Sequence, residues 1–385
     1  MLYFLENLLK LPKVSIQNVV QEGEDIFLIL ECTEEKIKCK ECENLTSELH
    51  QTRYVMVRDL PISGQTVYLK VPRRKFYCKH CQQYFTEDLE FMKPRRKYTE
   101  RYEKYIYQRV NASSIEQVKR EESLSWSQVD GIHKHQCEVL KKNWDEVKRL
   151  GMDEIAKRKG RKNYATVLSD LDKGILIEVI DSHEQTEIME TLMRQPLELR
   201  EKVEEVSVDM WGGFPEIIKQ VFPKAKIVTD RFHVMKAVNE ELDEIRKQTK
   251  FKSKVKGAKW LLLKNKDDLD DEQLNNLELV LKQSKRLRQA YELKESFRAI
   301  YEDKKEREEG KMAILDWLKK SREVYSSVIG TIRNHLDYIC NYFLNRTTNS
   351  PMEGINNRLK LIKRQAYGFL NFDNMRRRFL ACFST

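Results

Sequence analysis

The sequence has little glycine or proline and lacks any long apolar run. Its 385 residues include only 13 Gly and 8 Pro, which excludes a collagen-like or low-complexity chain. Its longest aliphatic or aromatic runs, such as residues 26–30, are far shorter than the roughly 20 residues that cross a bilayer, so we expect no membrane span and no membrane partner. The apolar opening at residues 1–5 lacks the basic start of a signal peptide, which favours a cytoplasmic protein.

Composition and charge are those of a globular protein with basic clusters. The chain is 40% hydrophobic and 34% charged, and at about 100–200 residues per domain its length predicts two to four domains. It carries 71 basic and 61 acidic residues, a net charge of +10, and basic residues crowd the ranges 93–109 and 358–378. Such clusters fit nucleic acid, because each neutralised phosphate releases bound counterions. A solvated helix face is the alternative, which charge alone does not exclude.

Four of the eight cysteines form two Cys-x-x-Cys pairs, Cys39 with Cys42 and Cys78 with Cys81. Tetrahedral zinc takes four thiolates from two such knuckles, and the hairpin-like pattern between the pairs is expected of a zinc ribbon with long arms. The spacing therefore predicts one structural Zn²⁺ that leaves no open position for a catalytic water. Two unrelated buried or redox-active pairs are the alternative.

Hydrophobic periodicity predicts an α/β domain with a mixed sheet between an N-terminal region and a charge-dense helical region. N-terminal strands are expected at 14–31, 54–57 and 66–71, followed by helices between residues 97 and 142. The expected elements of the α/β domain are strands at 149–155, 163–168, 174–180, 204–209 and 225–229 and helices at 184–195, 214–221 and 231–249. Residues 251–345 are predicted to be helical, and a last helix is predicted to begin near Ser350.

Two capping-box spacings, Ser113 to Glu116 and Ser125 to Gln128, predict short helices at 114–122 and 126–134. Any two capped helices can share this pattern, but a zinc ribbon and a basic stretch precede these, so the pair favours a helix-turn-helix that binds DNA. The residues expected to contact DNA are Trp126, Ser127, Gln128, His133 and Lys134 of the second helix and Arg95, Arg96 and Lys97 of the basic stretch.

Three carboxylates stand at unusual places. Asp153 lies in the middle of the first predicted strand of the α/β domain, and Asp209 ends a later strand, just before a sharp turn at residues 210–214. Strand ends of α/β sheets are where sites assemble. Each acid alone is more often a cap or a turn residue, and Glu353 is also the fourth residue of a capping box that starts at Ser350.

Taken in order behind the ribbon and the helix-turn-helix, these three acids resemble those of the DDE transposases of bacterial insertion sequences, specifically the ISL-three family. The resemblance extends over nearly the whole chain. It is carried by Arg58-Asp59-Leu60-Pro61, Arg73-Arg74-Lys75-Phe76-Tyr77-Cys78, Val208-Asp209-Met210-Trp211, Thr229-Asp230-Arg231-Phe232-His233, Asn349-Ser350-Pro351-Met352-Glu353-Gly354-Ile355-Asn356-Asn357 and Lys363-Arg364-Gln365-Ala366-Tyr367-Gly368-Phe369.

The resemblance implies an RNase H-like catalytic fold within the α/β class. The gap between Asp209 and Glu353 is too long for a compact fold of this kind, so a helical insertion is expected before the last catalytic helix. The implied domains are residues 1–92 with the N-terminal strands and zinc ribbon, 93–145 with the helix-turn-helix, 146–250 with the first part of the catalytic domain, 251–345 with the helical insertion, and 346–385 with the Glu-bearing helix.

The resemblance also implies the chemistry. Asp153 would bridge two Mg²⁺ ions, for which Mn²⁺ can substitute, while Asp209 and Glu353 flank them. Magnesium suits phosphodiester cleavage because it keeps open positions for water and phosphate oxygens. Lys360, with Arg364 on the same basic helix, would contact DNA. Asp230 and His233 match a D-x-x-H motif with an auxiliary role. For His233, a core or capping histidine is the alternative.

The implied partners are double-stranded DNA, both the terminal repeats and the target, and further copies of the chain in a homodimer or a larger synaptic assembly. A cytoplasmic, nucleoid-associated protein is expected. Two other functions stay open: a non-catalytic zinc-ribbon and helix-turn-helix regulator whose RNase H-like domain is a relic, and an RNase H-like nuclease that performs no strand transfer.

Overall fold

The computed structural model describes residues 2–139, 144–157, 163–210, 213–249 and 255–383, with only the backbone at residues 2–4 and 139. The chain divides into two compact units, Met1–Lys141 and Lys142–Thr385. The finer division into five domains stays a prediction. Parts of the predicted helical stretches, residues 140–142 and 251–254, lie outside the described residues.

The first unit begins with a short helix and a sheet. Its elements here are α1 (Leu2–Leu9), β1 (Val14–Glu22), β2 (Asp25–Cys32), β3 (Ile37–Lys38), β4 (Leu45–Thr46), β5 (Leu49–Ile62), β6 (Gln65–Cys78) and β7 (Gln83–Thr86). The sheet order is β1-β2-β6-β5, with β7 beside β6. The predicted hairpin is present, and its strands are longer than expected. Ser63 and Gly64 both have positive φ and form the tight turn that joins the two twisted strands.

Three helices complete the first unit: α2 (Glu100–Ala112), α3 (Ile115–Glu121) and α4 (Trp126–Val139). They pack around Tyr102, Ile106 and Val129, which are fully or almost fully buried. The predicted capping box at Ser125 and Gln128 is confirmed by both of its hydrogen bonds. The box at Ser113 is wrong by one residue, because Ser113 Oγ donates to the carbonyl of Arg109 at the end of α2 and Ser114 caps α3 instead.

The second unit is built on a five-stranded mixed sheet, as predicted. Its strands are β8 (Arg149–Ala156), β9 (Tyr164–Asp170), β10 (Ile175–Ile180), β11 (Glu205–Val208) and β12 (Lys226–Thr229). The order is β10-β9-β8-β11-β12. The first three strands are antiparallel neighbours, whereas β11 runs parallel to both β8 and β12.

Helices cover both faces of this sheet. On one face, α5 (Gln185–Met193) and α7 (Phe214–Val221) share a core with Leu150 and Met152 of β8, and the short α6 (Leu197–Arg200) lies between them in sequence. On the other face, the last two helices, whose bounds follow below, pack on Ile155 and Val167. Successive residues of a strand point to opposite faces, so Gly151 and Asp153 share the face of Ile155.

A helical region stands between β12 and the last helices, as predicted for its described residues. Its helices are α8 (Arg231–Gln248), α9 (Ala258–Leu263), α10 (Asp271–Leu281), α11 (Lys285–Glu302), α12 (Arg307–Ser321), α13 (Ser327–Asn334), α14 (Leu336–Cys340) and α15 (Tyr342–Asn345), and the chain then ends in α16 (Ser350–Gln365) and α17 (Phe372–Ala381). The helical region has a separate core, to which Val228 of β12 also belongs. It therefore joins the sheet at its β12 edge.

The segment before α16 is fastened to the sheet. Asn345 Nδ2 donates to Glu205 Oε1 at 2.7 Å, and the Thr347 hydroxyl donates to the other oxygen of this buried carboxylate. The segment also lies against β8, because a Cβ added at Gly151 would be 2.7 Å from Asn349 Oδ1 and 2.9 Å from Ser169 Oγ. Glycine is required at residue 151 by this close approach and not by its backbone angles.

Gly151→Ala is expected to lower the free energy of unfolding by about 1–3 kcal/mol, because β8 and the segment before α16 must move apart. Gly330→Ala is the matched control, since its Cβ would meet no atom within 4 Å and it lies inside α13. The control is expected to raise stability by up to about 1 kcal/mol. Urea unfolding measures both changes, and equal stability of the two variants would contradict the close approach.

Candidate functional site

The four cysteines of the two predicted pairs form one cluster in the first unit. Cys39 Sγ lies 3.5 Å from Cys81 Sγ, and Cys42 Sγ lies 3.6 Å from Cys78 Sγ. All four sulfur atoms lie within 4.8 Å of one another. Four thiolates around zinc at about 2.3 Å are separated by about 3.8 Å, so the cluster has the size of a tetrahedral zinc site.

The backbone builds both knuckles in the same way. The residue after each second cysteine, Glu43 and Gln82, has a positive φ, which turns the chain back around the sulfur atoms. Burial, followed by the neighbouring thiols, raises the pKa of Cys81 to about 12, whereas hydrogen bonds from Asn44 lower the pKa of Cys42 to about 6. A full set of thiolates therefore needs a cation among them, and these residues fit Zn²⁺.

Asp153 lies in the middle of β8 and faces α16. One carboxylate oxygen accepts from the backbone N–H of Glu154 at 2.7 Å, and the other accepts from Asn356 Nδ2 at 2.6 Å. Burial raises the pKa of Asp153, and the negative charge of Asp209 raises it further, whereas His233 and the two hydrogen bonds act in the opposite direction. The side chain is therefore held in one orientation in a site that disfavours its charge.

Asp209 follows β11 directly. The parallel register pairs Glu205 with Arg149 and Ser207 with Gly151, and the same offset sets Asp209 level with Asp153. The negative charge of the Asp209 carboxylate also acts to raise the pKa values of Glu154 and His335. The sharp turn predicted after Asp209 includes residues 211 and 212, which lie outside the described residues.

Asp230 joins the start of α8 to the start of α16. It is 3% exposed, and its Oδ1 accepts from the backbone N–H of Asn349 at 3.0 Å. Burial raises the pKa of Asp230, and the Asn349 hydrogen bond and the nearby His233 partly offset this effect. The capping box predicted from Ser350 to Glu353 is wrong, because α16 begins at Ser350 and Asn349 is the N-cap residue.

Glu353 is therefore not used as a cap. It is exposed in the first turns of α16, and Asn356, Asn357 and Lys360 follow at spacings of three, four and seven residues. These spacings place all four side chains on one face of the helix. Glu353 thus shares a helix face with Asn356, the residue that binds Asp153.

One cavity collects most of these groups. Its volume is about 590 Å³, and its lining includes Asp153, Asp230, His233, Glu353 and Lys360. Asp209 is not among the lining residues, although its charge acts on Asp153. Across the described ranges, only the four cysteines bring three or more possible metal ligands within 4.8 Å of one another, so the carboxylates do not close on a common point.

The helical region also contributes to the cavity, which the sequence did not predict. Asn265 and Arg298 line it. Arg298 is held in place by Asp267, Glu295 and Glu302. Nothing in a charge-dense helix distinguishes this arginine before the fold places it, so no local signal could have identified it.

The residues predicted to contact DNA differ in exposure. Trp126, Ser127, Gln128 and Lys134 are exposed on α4. The placement of His133 among them is wrong: it is 1% exposed, stacks on the Tyr107 ring and lies 3.1 Å from Asn111 Oδ1. It lies on the face of α4 that packs against α2.

The basic residues differ in the same way. Arg95 and Lys97 are exposed, whereas Arg96 is half-buried and its Nε donates to the buried Glu103 at 2.6 Å. Lys360 and Arg364 are exposed on α16, one helical turn apart. Four of these five cations are therefore available to a polyanion, and Arg96 has a structural partner.

Comparisons with known proteins agree with this organisation. A family model for ISL3-type DDE transposases, whose description is "Transposase", matches residues 150–379. A second one, "zinc-finger of transposase IS204/IS1001/IS1096/IS1165", matches residues 35–81 and so includes all four cysteines of the cluster. The mixed α/β unit and the cysteine cluster thus fall within two separate matches.

Individual relatives carry the same description. The transposase for insertion sequence element IS1001 of Bordetella parapertussis is 28% identical over 363 residues, which cover 90% of this chain and 89% of the relative. The transposase for IS1557 of Mycobacterium tuberculosis is 26% identical over 256 residues, 58% of this chain and 57% of the relative. The matches define the class as insertion-sequence transposases with an N-terminal zinc finger. The chain belongs to the ISL3, or ISL-three, family of DDE transposases.

In the described parts of the chain, no helix combines the length and the apolar character needed to cross a membrane.

Cys39→Ser is expected to reduce the zinc content from about one ion per chain to almost none, because three thiolates hold zinc far more weakly than four. Cys32→Ser is the control, since Cys32 lies outside the cluster and its thiol instead approaches Glu87. Elemental analysis of the purified proteins gives the zinc content. A folded wild-type protein without zinc would contradict the assignment, as would full zinc in the Cys39 variant.

Proposed function

We propose that this chain cleaves the ends of an insertion sequence and joins them to target DNA, with Asp153, Asp209 and Glu353 as its catalytic carboxylates. The observation that carries the proposal is that acids from distant parts of the sequence lie at or near one cavity. Asp153 and Glu353 line one cavity, and the carboxylate of Asp209 raises the pKa of Asp153.

The sheet supports an RNase H-like interpretation of the second unit. Three antiparallel strands are followed by two strands that run parallel to the first. Asp153 lies in the first strand, and Asp209 directly follows the fourth. The third acid comes from a helix that packs on the sheet. The helical region lies between the second and third acids, as an insertion would.

The residues at the cavity fit Mg²⁺ or Mn²⁺. Their donors are hard oxygen atoms, and two more oxygens, Asn349 Oδ1 and Asn356 Oδ1, are buried without a hydrogen-bond partner in the structure. Cations at Asp153, Asp209 and Glu353 would supply charge neutralisation and activation of the attacking oxygen. Asn356 and the N–H of Glu154 would hold the Asp153 carboxylate in its binding orientation.

Other side chains of the cavity would bind the DNA backbone. Lys360 lies two turns after Glu353 on the same face, so its ammonium group can hold a phosphate next to the scissile bond. Hydrolysis at the element end breaks the bond between phosphorus and the 3′-oxygen. The freed 3′-hydroxyl then attacks a target phosphodiester, and one bond forms as another breaks.

The first unit would supply recognition of double-stranded DNA. In this proposal α3 and α4 form a helix-turn-helix, with Trp126, Ser127, Gln128 and Lys134 facing the terminal repeat. Arg95 and Lys97 would contact phosphates, and the zinc cluster would fix the hairpin behind them. Synapsis of two ends would bring together two copies of the chain or more, and binding to chromosomal DNA would place the protein with the nucleoid.

Asp153→Asn, Asp209→Asn and Glu353→Gln are each expected to reduce strand transfer at least about 1,000-fold, because a neutral amide no longer attracts the cations. Binding to a terminal-repeat duplex is expected to change little. Labelled element ends, a target plasmid and Mg²⁺ measure the joint products, while a gel-shift assay measures binding.

Glu190→Gln is the control, because this exposed glutamate on α5 lies outside the cavity. Joint products from any of the three carboxylate variants at the control level would contradict the catalytic assignment. A wild-type protein that cuts ends without joining them would favour the nuclease, and one that only binds them would favour the non-catalytic regulator.

Asn356→Ala is expected to reduce strand transfer about 10- to 100-fold, with part of the loss recovered at high Mg²⁺ or Mn²⁺, because Asp153 loses the donor that orients it. A titration of each variant with metal measures the effect. Gln365→Ala is the control, since this exposed residue ends the same helix. A wild-type metal requirement in the Asn356 variant would contradict a positioning role for Asn356.

A further inference from the structure

The loop between α16 and α17 carries two large apolar side chains that the protein does not cover. Tyr367 is 99% exposed and Leu370 is 98% exposed. Between them, Phe369 turns inward and packs its ring edge-on against Phe379, with the ring centroids 6.0 Å apart. Tyr367 and Leu370 thus project from a segment that Phe369 anchors.

The backbone of this loop is held in an unfavourable conformation. Helix α16 ends with hydrogen bonds from the N–H groups of Tyr367 and Gly368 to the carbonyls of Arg364 and Lys363. Tyr367 has φ 53° and Gly368 has φ 94°. A non-glycine residue in the left-handed region costs about 1–2 kcal/mol, so the fold keeps a tyrosine where glycine or asparagine would be easier.

A hollow of about 810 Å³ lies beside the loop and is basic. Its lining includes Tyr367 and Leu370 together with Lys157, Lys360, Lys363 and Arg364, and none of its lining residues is acidic. Lys157 is paired with Asp181, but Lys360 and Arg364 have no ion-pair partner among the described residues. Tyr367 and Leu370, called the apolar tip from here on, are therefore surrounded by groups that attract phosphate.

The hollow adjoins the carboxylate cavity. Lys360 lines both, and Ile155 and Ala156 of the hollow follow Asp153 within three residues on β8. From Glu353 to Gln365 the helix rises about 18 Å, which corresponds to about five nucleotide steps of DNA. A strand whose phosphate lies at Lys360 would thus pass the tip within a few nucleotides of Glu353.

A nucleobase of a DNA strand is the occupant that fits this surface, which combines two exposed apolar side chains with a basic hollow. The flat face of the base stacks on an aromatic ring and an aliphatic side chain, and the backbone phosphates beside it pair with the surrounding cations. A base inside a duplex cannot present this face, so it must first leave the stack. A protein partner would have to bring acidic residues to the same cations, and DNA already carries the required charge.

We propose that Tyr367 and Leu370 hold an unstacked base of the element end, within about five nucleotides of the bond cleaved at Glu353. This proposal rests on the proposed function. The two side chains would keep the strand open beside the carboxylates, which makes them positioning residues and not catalytic ones.

The test uses the full-length protein and duplexes of the terminal inverted repeat with 2-aminopurine at each of the last ~6 positions. Binding without divalent metal is expected to raise the fluorescence at one or two positions. Tyr367→Ala and Leu370→Ala should remove most of that increase, and Tyr367→Phe should retain it. Leu361→Ala is the matched control, because Leu361 is an exposed apolar residue on α16, the helix before the loop, and lies outside both cavities.

Cleavage provides the second measurement. On fully paired ends, Tyr367→Ala and Leu370→Ala are expected to cut roughly 10- to 100-fold more slowly, since each stacked base contributes about 1–3 kcal/mol. On ends with mismatches at the responsive positions, both variants should recover to within about threefold of wild type, because the DNA is already open.

Two results would overturn the base contact: an unchanged fluorescence increase in both alanine variants, or an equal loss of cleavage on paired and mismatched ends. Loss of self-association in sedimentation with unchanged fluorescence would overturn it in favour of a protein interface. Failure of the proposed function differs, since it appears as no cleavage by the wild type. The Asp153→Asn variant separates base unstacking from cleavage. It should not cleave, but it should still show the fluorescence increase, because unstacking needs no cleavage.

Discussion

The arrangement of the second unit depends on how the start of α16 is attached to the sheet. Glu205 of β11 accepts from Asn345 and Thr347, Asp230 accepts from the N–H of Asn349, and Asp153 accepts from Asn356. Three acids of the sheet region thereby bind one segment that follows a long helical region. Together with the apolar packing of α16 on Ile155 and Val167, these contacts fix Glu353 relative to Asp153.

This attachment has a cost in stability. Burial raises the pKa values of Asp153 and Asp230, so their charged forms are disfavoured where they lie. Asn349 Oδ1, Asn356 Oδ1 and Ser169 Oγ are buried without a partner. Unsatisfied polar atoms each cost about 1–3 kcal/mol, and proteins retain them mainly where function requires them. Two of these atoms, Asn349 Oδ1 and Asn356 Oδ1, belong to residues that line the carboxylate cavity, which supports the proposed cation site.

Most elements could be predicted from the sequence, because alternating strands and short turns leave clear local patterns, and the cysteine spacing sufficed for the zinc cluster. The errors came where tertiary contacts decide. Ser350 has the sequence of a cap but lies inside α16, since Asn349 is held by Asp230. His133 has the right spacing for a DNA contact, but it packs against Tyr107. Arg298 reaches the cavity through a fold that no local pattern describes.

Helix α16 links these features because it is rigid. Glu353, Lys360 and Arg364 lie on the 16 residues of α16, about 24 Å long, and Tyr367 follows two residues after its end. The helix fixes the separations of the three side chains. A carboxylate, a phosphate contact and a base contact would then meet one DNA strand at set intervals. Because the start of the helix is fastened to the sheet and Phe369 anchors its end, DNA held at one end would be placed at the other without any further movement of the protein.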